Sequence, residues 1–185
     1  MSLAVSRKLF TVDEYHQMAH TGILSEDDRV ELLAGEIIEM SPIGSRHAAC
    51  VAKLTKVLSQ RVGDRAIVWV QNPIHLSRHS EPQPDLSLLK PRADFYAQDL
   101  PQAKDVHLII EVAESSADFD RDVKLPLYAQ ARIAEVWLVI LAEERIEVYR
   151  SPSGSAYQQT KTYRERATIS PQAIPDCHID LKSVL

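Results

Sequence analysis

The sequence predicts an α/β fold, a mixed β-sheet core flanked by helices. Three observations carry this. Short apolar runs rich in β-branched residues recur between Ala66 and Arg150, an amphipathic stripe runs from Arg46 to Val62, and a helix-like segment separates two of the apolar runs. At 185 residues the chain is long enough for one domain with a real core, and a single domain over residues 1–185 is expected.

The elements follow in order. In "FTVDEYHQMA", Thr11 precedes Glu14 by three positions, a capping box that starts a short helix. "RVELLAGEIIEM" has apolar runs on both sides of Ala34-Gly35 and reads as a β-hairpin with Glu31 on its first strand, opening the sheet. His47, Val51, Leu54 and Leu58 form one stripe of a helix that packs on the sheet. Strands are expected at Ala66–Gln71, Asp85–Leu89, Val106–Ala113, Glu135–Leu141 and Arg145–Arg150. Pro126 is tolerated without a kink only near a first turn, so the helix between the third and fourth strands is predicted to begin at Asp122 or Val123. Strand, helix and strand then make a right-handed βαβ crossover. The turn-rich tail from Ser151 reads as an edge hairpin plus a terminal strand.

Composition narrows the class. Apolar residues make up 45% and charged residues 25%, ordinary values that argue against disorder. A net charge of −5 gives no basic footprint for polyanions, although bound divalent cations would supply positive charge locally. Cys50 and Cys177 lack metal-type spacing and read as reduced thiols of a cytoplasmic protein. "MSLAVSRKLF" has no apolar signal core, and "VWLVILA" is far short of the roughly 20 residues that span a bilayer, so a soluble protein is expected.

The chemistry centres on two acids. Asp85 in "PDLSLL" and Glu111 in "HLIIEVA" stand among apolar residues, and burying an unpaired carboxylate costs several kcal/mol, so each needs a partner. Singly, Asp85 reads as a strand-start turn residue and Glu111 as half of an ion pair. Brought together at a sheet end they repel unless a cation stands between them, and Mg²⁺, held by one or two carboxylates and several waters, suits such a pair. His47, on the core-facing stripe of its helix, reads as a hydrogen-bonded core residue. Asp120 and Lys124, four apart, read as a helical ion pair, and Tyr128 and Trp137 as packing residues.

Pro84-Asp85, "EVA" from Glu111 to Ala113, Glu31 on the hairpin and Lys124 in "DRDVKLPLY" together resemble the PD-(D/E)XK nuclease superfamily. More narrowly, from about Phe10 to Arg150 the chain is similar to the Uma-two family, restriction-endonuclease-like proteins first described as a domain of unknown function. The similarity lies in "VELLAGEIIEMSP", His47, "IIEVAESSADFDRDVK" and "YAQARIAEVWLV".

The resemblance implies a restriction-endonuclease-like core and Mg²⁺-dependent (or Mn²⁺-dependent) hydrolysis of phosphodiester bonds, with DNA as the partner. It implies Glu31, Asp85, Glu111 and Lys124 as the catalytic set, with Asp85, Glu111, Glu31 and the Val112 carbonyl holding the metal. The superfamily pattern sets a lysine two residues after the glutamate; Ala113 stands there, and Lys124 matches the lysine that the Uma-two family carries on the following helix. Two other readings stay open. One is a nucleic-acid-binding or regulatory domain without turnover, motivated by Ala113 and the acidic charge; the other is a structural dimerisation module whose acids only form ion pairs. A homodimer also fits a nuclease that cuts both strands.

Overall fold

The computed structural model describes residues 6–25 and 27–185, so the reading of the first ten residues as lacking a signal core lies partly outside the described residues. Thr11 caps α1 (Val12–His20): its hydroxyl accepts the Glu14 N–H, and the Glu14 carboxylate accepts the Thr11 N–H. Such a cap is worth about 1 kcal/mol. β1 (Val30–Leu33) and β2 (Glu36–Glu39) pair antiparallel around Ala34 and Gly35, whose φ angles of 49° and 84° are those of a two-residue hairpin turn. A Cβ on Gly35 would meet the Leu9 Cβ at 2.7 Å, so this position needs glycine for space as well as for φ.

The hairpin does not open the central sheet, contrary to the expectation above; it forms a two-stranded sheet of its own. The reason lies at its free edge. The Leu32 carbonyl there accepts the Glu81 N–H at 2.7 Å, so a loop rather than a strand occupies the edge. Glu31 is thereby held beside the central sheet without belonging to it.

That sheet has six strands in the order β3 (Ile67–Val70), β4 (Leu86–Leu89), β5 (Val106–Ala113), β6 (Glu135–Ile140), β7 (Arg145–Ser153) and β8 (Ala156–Arg164). β5 and β6 run parallel and the other neighbours antiparallel, the mixed sheet that the sequence predicts. Alternation along β5 sorts the two faces. Ile110 and Val112 join the cluster containing Cys50, Leu54 and Leu58 of α2 (Ser45–Val62), whereas Ile109 lies with Leu125 and Tyr128 on the opposite side. Glu111 shares the parity of Ile109, so it meets the crossover helix and not α2. β9 (Thr168–Ile169) and β10 (Ile179–Asp180) close the chain as a small antiparallel pair.

The crossover from β5 to β6 begins five residues earlier than Pro126 suggested. It consists of α3 (Ala117–Phe119), a π-helical turn (Asp120–Lys124) and α4 (Leu125–Gln130). Proline lacks the N–H of a helix interior and its ring crowds the carbonyl four residues back. The wider turn, in which the Leu125 N–H reaches back to the Asp120 carbonyl, lets the helix run through that position. It also turns both Asp120 and Lys124 inward, 5% and 7% exposed.

Candidate active site

β4 starts one residue after Asp85, and its register pairs Leu86 with Ile110. Continued by one position, that register sets Asp85 opposite Glu111, which is the convergence of carboxylates at a sheet end that the sequence reading requires. The Asp85 side chain reaches across the edge of β5, where Oδ2 accepts the Val112 N–H at 2.9 Å. In a strand the N–H and C=O of one residue point to the same side, so the Val112 carbonyl faces the Asp85 side as well.

The remaining bonds define how each acid is held. Asp85 Oδ2 also lies 3.0 Å from His47 Nε2, while Oδ1 has only a 3.3 Å contact from the Gln71 amide. Glu111 Oε1 accepts the Tyr128 hydroxyl at 2.5 Å and faces the Lys124 ammonium at 3.3 Å; Oε2 has only a 3.4 Å contact from the Asp85 N–H. Glu31 is fully engaged, with Lys124 Nζ at 3.1 Å from Oε1 and the Gln83 N–H on Oε2. Lys124 pairs with Glu31 and Glu111, not with Asp120 as its helical spacing predicts; Asp120 accepts the Ser116 hydroxyl instead. The π turn is the cause, because it turns Lys124 onto acids of β1 and β5.

Burial lifts the Glu111 carboxyl to about 8, with Asp120, Asp85 and Glu31 pushing the same way and Lys124 opposing. Asp120 is raised too, by burial first. For Lys124, burial acts downward, but Glu111, Glu31 and Asp120 outweigh it and hold the ammonium charged well above its ordinary range. His47 is raised, chiefly by its hydrogen bond to Asp85, against the effect of burial. Its Nδ1 is buried without a partner among the described residues.

These groups line a cleft of about 400 Å³. The lining carries six carboxylates, Glu31, Glu39, Asp85, Glu111, Glu114 and Asp120, against Arg29 and Lys124. At the start of β4, Asp85 Oδ1 and Glu111 Oε2, each with a single contact longer than a normal hydrogen bond, are open to a cation. With the Val112 carbonyl they make a donor set of hard oxygens. Among the described residues no three His, Cys, Asp or Glu side chains form a ready-made metal cage. A partial set of this kind fits Mg²⁺, which keeps several waters and leaves positions for a phosphate.

Glu31, Asp85, Glu111, Val112 and Lys124 are thus drawn to one cleft. Two further residues belong with them. Tyr128 is 1% exposed and packs in the core, as expected, yet its hydroxyl also fixes Glu111. Spacing alone gives no sign of that, because the acid it meets lies on another element. His47 bonds Asp85 across 38 positions of sequence, which its place on a core-facing stripe likewise conceals.

A mixed sheet with acids converging where β4 begins, and a lysine delivered from the following helix, defines a restriction-endonuclease-like protein. Residues 12–182 match the Uma2 family, described as "Putative restriction endonuclease", and the chain belongs to that family. The fold is similar to a crystal structure from Anabaena variabilis ATCC 29413, described as "a putative nuclease belonging to DUF820". That match has a TM-score of 0.75 and 20% identity, and covers 95% of this chain and 97% of that one. No curated protein matches the chain. Among the described residues no helix is long and apolar enough to cross a membrane.

Proposed function

We propose that the protein is a divalent-cation-dependent endonuclease that hydrolyses phosphodiester bonds in DNA. The observation that carries this reading is the pairing of Asp85 with Glu111 across the end of β4, each with one weakly engaged oxygen turned to the same cleft. Asp85, Glu111 and the Val112 carbonyl would hold Mg²⁺ or Mn²⁺, with Glu31 beside them on the hairpin. A cation bound there would supply polarisation of the phosphate and a water of lowered pKa.

The chain's own residues do the rest. Lys124 is kept charged by its acidic neighbours, so it stabilises charge growing on phosphoryl oxygens or orients the water, and does not serve as the base that takes a proton. Glu31 anchors Lys124 from one side. Tyr128 holds Glu111 from the other, and His47 holds Asp85. Rigid placement of this kind is what such a site needs.

The test is incubation of single- and double-stranded oligonucleotides with the full chain, in Mg²⁺ or Mn²⁺ and in chelator. Cleavage that the chelator stops supports the reading; no cleavage of any nucleic acid hands the lead to a binding domain without turnover, which Ala113 favours. We also propose that residues 1–185 form one domain in the cytoplasm, where the free thiols of Cys50 and Cys177 stay reduced. A single cooperative unfolding transition checks the former.

A further inference from the structure

Gln83 stands between two prolines in "EPQPD". Proline has no N–H and a fixed φ, so Gln83 carries the sole main-chain donor from Pro82 to Pro84, on a stretch with little freedom to move. That donor goes to Glu31, whose Oε2 lies 3.0 Å from the Gln83 nitrogen. The side chain reaches the other way. Its amide nitrogen donates to the Gln71 carbonyl at 2.6 Å, and the Gln71 N–H in turn donates to the Asp85 carbonyl at 3.0 Å.

Two features single out this chain of bonds. Gln71 has a φ of 48°, in the left-handed region that a long side chain rarely adopts and that persists only where the surroundings impose it. The bonds at its N–H and at its carbonyl hold it there. Glu31 and Asp85, moreover, stand on separate parts of the fold, the first on the two-stranded hairpin sheet and the second at the start of β4 in the six-stranded one. Glu31 is 3% exposed, and its side-chain partners among the described residues are Lys124 and Gln83. Lys124 reaches it on a flexible four-carbon stem, whereas Gln83 is fixed through both its main chain and its side chain.

We propose that Gln83 is a positioning residue of the site, a tie that holds Glu31 of the hairpin in register with Asp85 of the sheet. The proposal rests on the endonuclease reading and adds to it a residue that acts through the two acids. Losing a partner that orients the acids of a metal site costs about 10–100-fold in metal affinity or activity. Without the bond to Gln71, the main chain at Gln83 is free to shift and its bond to Glu31 loosens with it.

The experiment compares the full chain with Gln83→Met, which keeps the length and the N–H but cannot donate to Gln71, and with Gln83→Asn, which keeps the amide but is one methylene shorter. Hydrogen exchange at the residue-83 N–H is measured without metal, followed by Mn²⁺ affinity and by single-turnover cleavage of an oligonucleotide in Mg²⁺. Both variants should exchange that N–H about tenfold faster than the parent. Both should lose about tenfold in Mn²⁺ affinity and in cleavage rate, with the metal-free melting temperature little changed. A glutamine that only packs would lower the melting temperature and leave the Mn²⁺ affinity and rate of the folded protein as in the parent, and that result overturns the tie. A Gln83 N–H that exchanges in the parent as fast as an unstructured amide overturns it without any variant. A parent that binds Mn²⁺ and cleaves nothing overturns the endonuclease reading, while a loss of Mn²⁺ affinity in the variants still supports the tie.

Discussion

Two sets of buried acids sit in this molecule on different terms. On β6 and β7, Glu135 and Glu147 are closed off. Glu135 accepts from the Trp137 indole, from two nitrogens of Arg150 and from the Gln172 N–H, and Glu147 is met by Arg121, Arg145 and the Tyr149 hydroxyl. In the cleft, one lysine serves Glu31 and Glu111, Asp85 meets His47, and Asp120 has only the Ser116 hydroxyl. Guanidinium groups bind carboxylates in matched pairs and leave nothing over. The cleft is left with more negative charge than its own cations balance. The same π turn serves both sets, sending Arg121 to Glu147 and Lys124 to Glu111 and Glu31. We propose that one set stabilises the fold and the other is kept ready for a cation.

Substitutions should separate the two. Asp85→Ala should abolish both hydrolysis and stabilisation by Mg²⁺ or Mn²⁺ while the fold survives, because it removes a ligand and relieves repulsion in the metal-free state. Cleavage assays and thermal unfolding with and without the cation read this out; a variant that unfolds would make Asp85 a member of the closed kind. Arg150→Met should do the reverse. It leaves Glu135, 0% exposed, as an uncompensated buried charge and should cost about 3–5 kcal/mol in denaturant unfolding without changing cation affinity.

Lys124→Met keeps the packing of the stem and removes the charge, so hydrolysis should fall by about 10²–10³, roughly 3–4 kcal/mol, with a much smaller change in cation affinity. Single-turnover rates beside cation titrations measure the difference. If Lys124→Met cleaves as fast as the parent, the role of the lysine on the crossover fails.

The smallest effect is a contrast in pH dependence. Burial alone would raise Glu147, but the bonds from Arg121 and Tyr149 outweigh it, and its pKa lies below the ordinary 4.5. Its contribution to stability is therefore present above pH 4.5 and lost as pH falls through the folded value. Glu111 runs the other way: raised to about 8, it favours the folded state below pH 4.5 and loses that contribution as pH climbs toward 8. Stability curves of Glu147→Gln and Glu111→Gln without metal should lose the acid-side and the neutral-side slope respectively.

Much of this was legible before the structure. The limits of β5 follow from "VHLIIEVA", the capping box and the hairpin turn follow from Thr11, Glu14 and Ala34-Gly35, and the α2 stripe follows from its apolar spacing. These are local signals, set within one turn or one strand. What escaped depends on tertiary placement. The π turn lets the helix run through Pro126, and no spacing in the sequence announces such a turn. The separation of the Glu31 hairpin depends on a loop reaching the Leu32 edge, and the bonds from His47 to Asp85 and from Tyr128 to Glu111 join elements that no spacing relates.

The central claim is that Asp85 and Glu111 share one cation. Crystals soaked in Mn²⁺ and measured at the manganese absorption edge test it most directly. The account predicts one anomalous peak within coordinating distance of Asp85, Glu111 and the Val112 carbonyl, absent from Asp85→Ala crystals. A cleft without a peak at millimolar Mn²⁺, in crystals whose Lys124 still lies between Glu31 and Glu111, would contradict it.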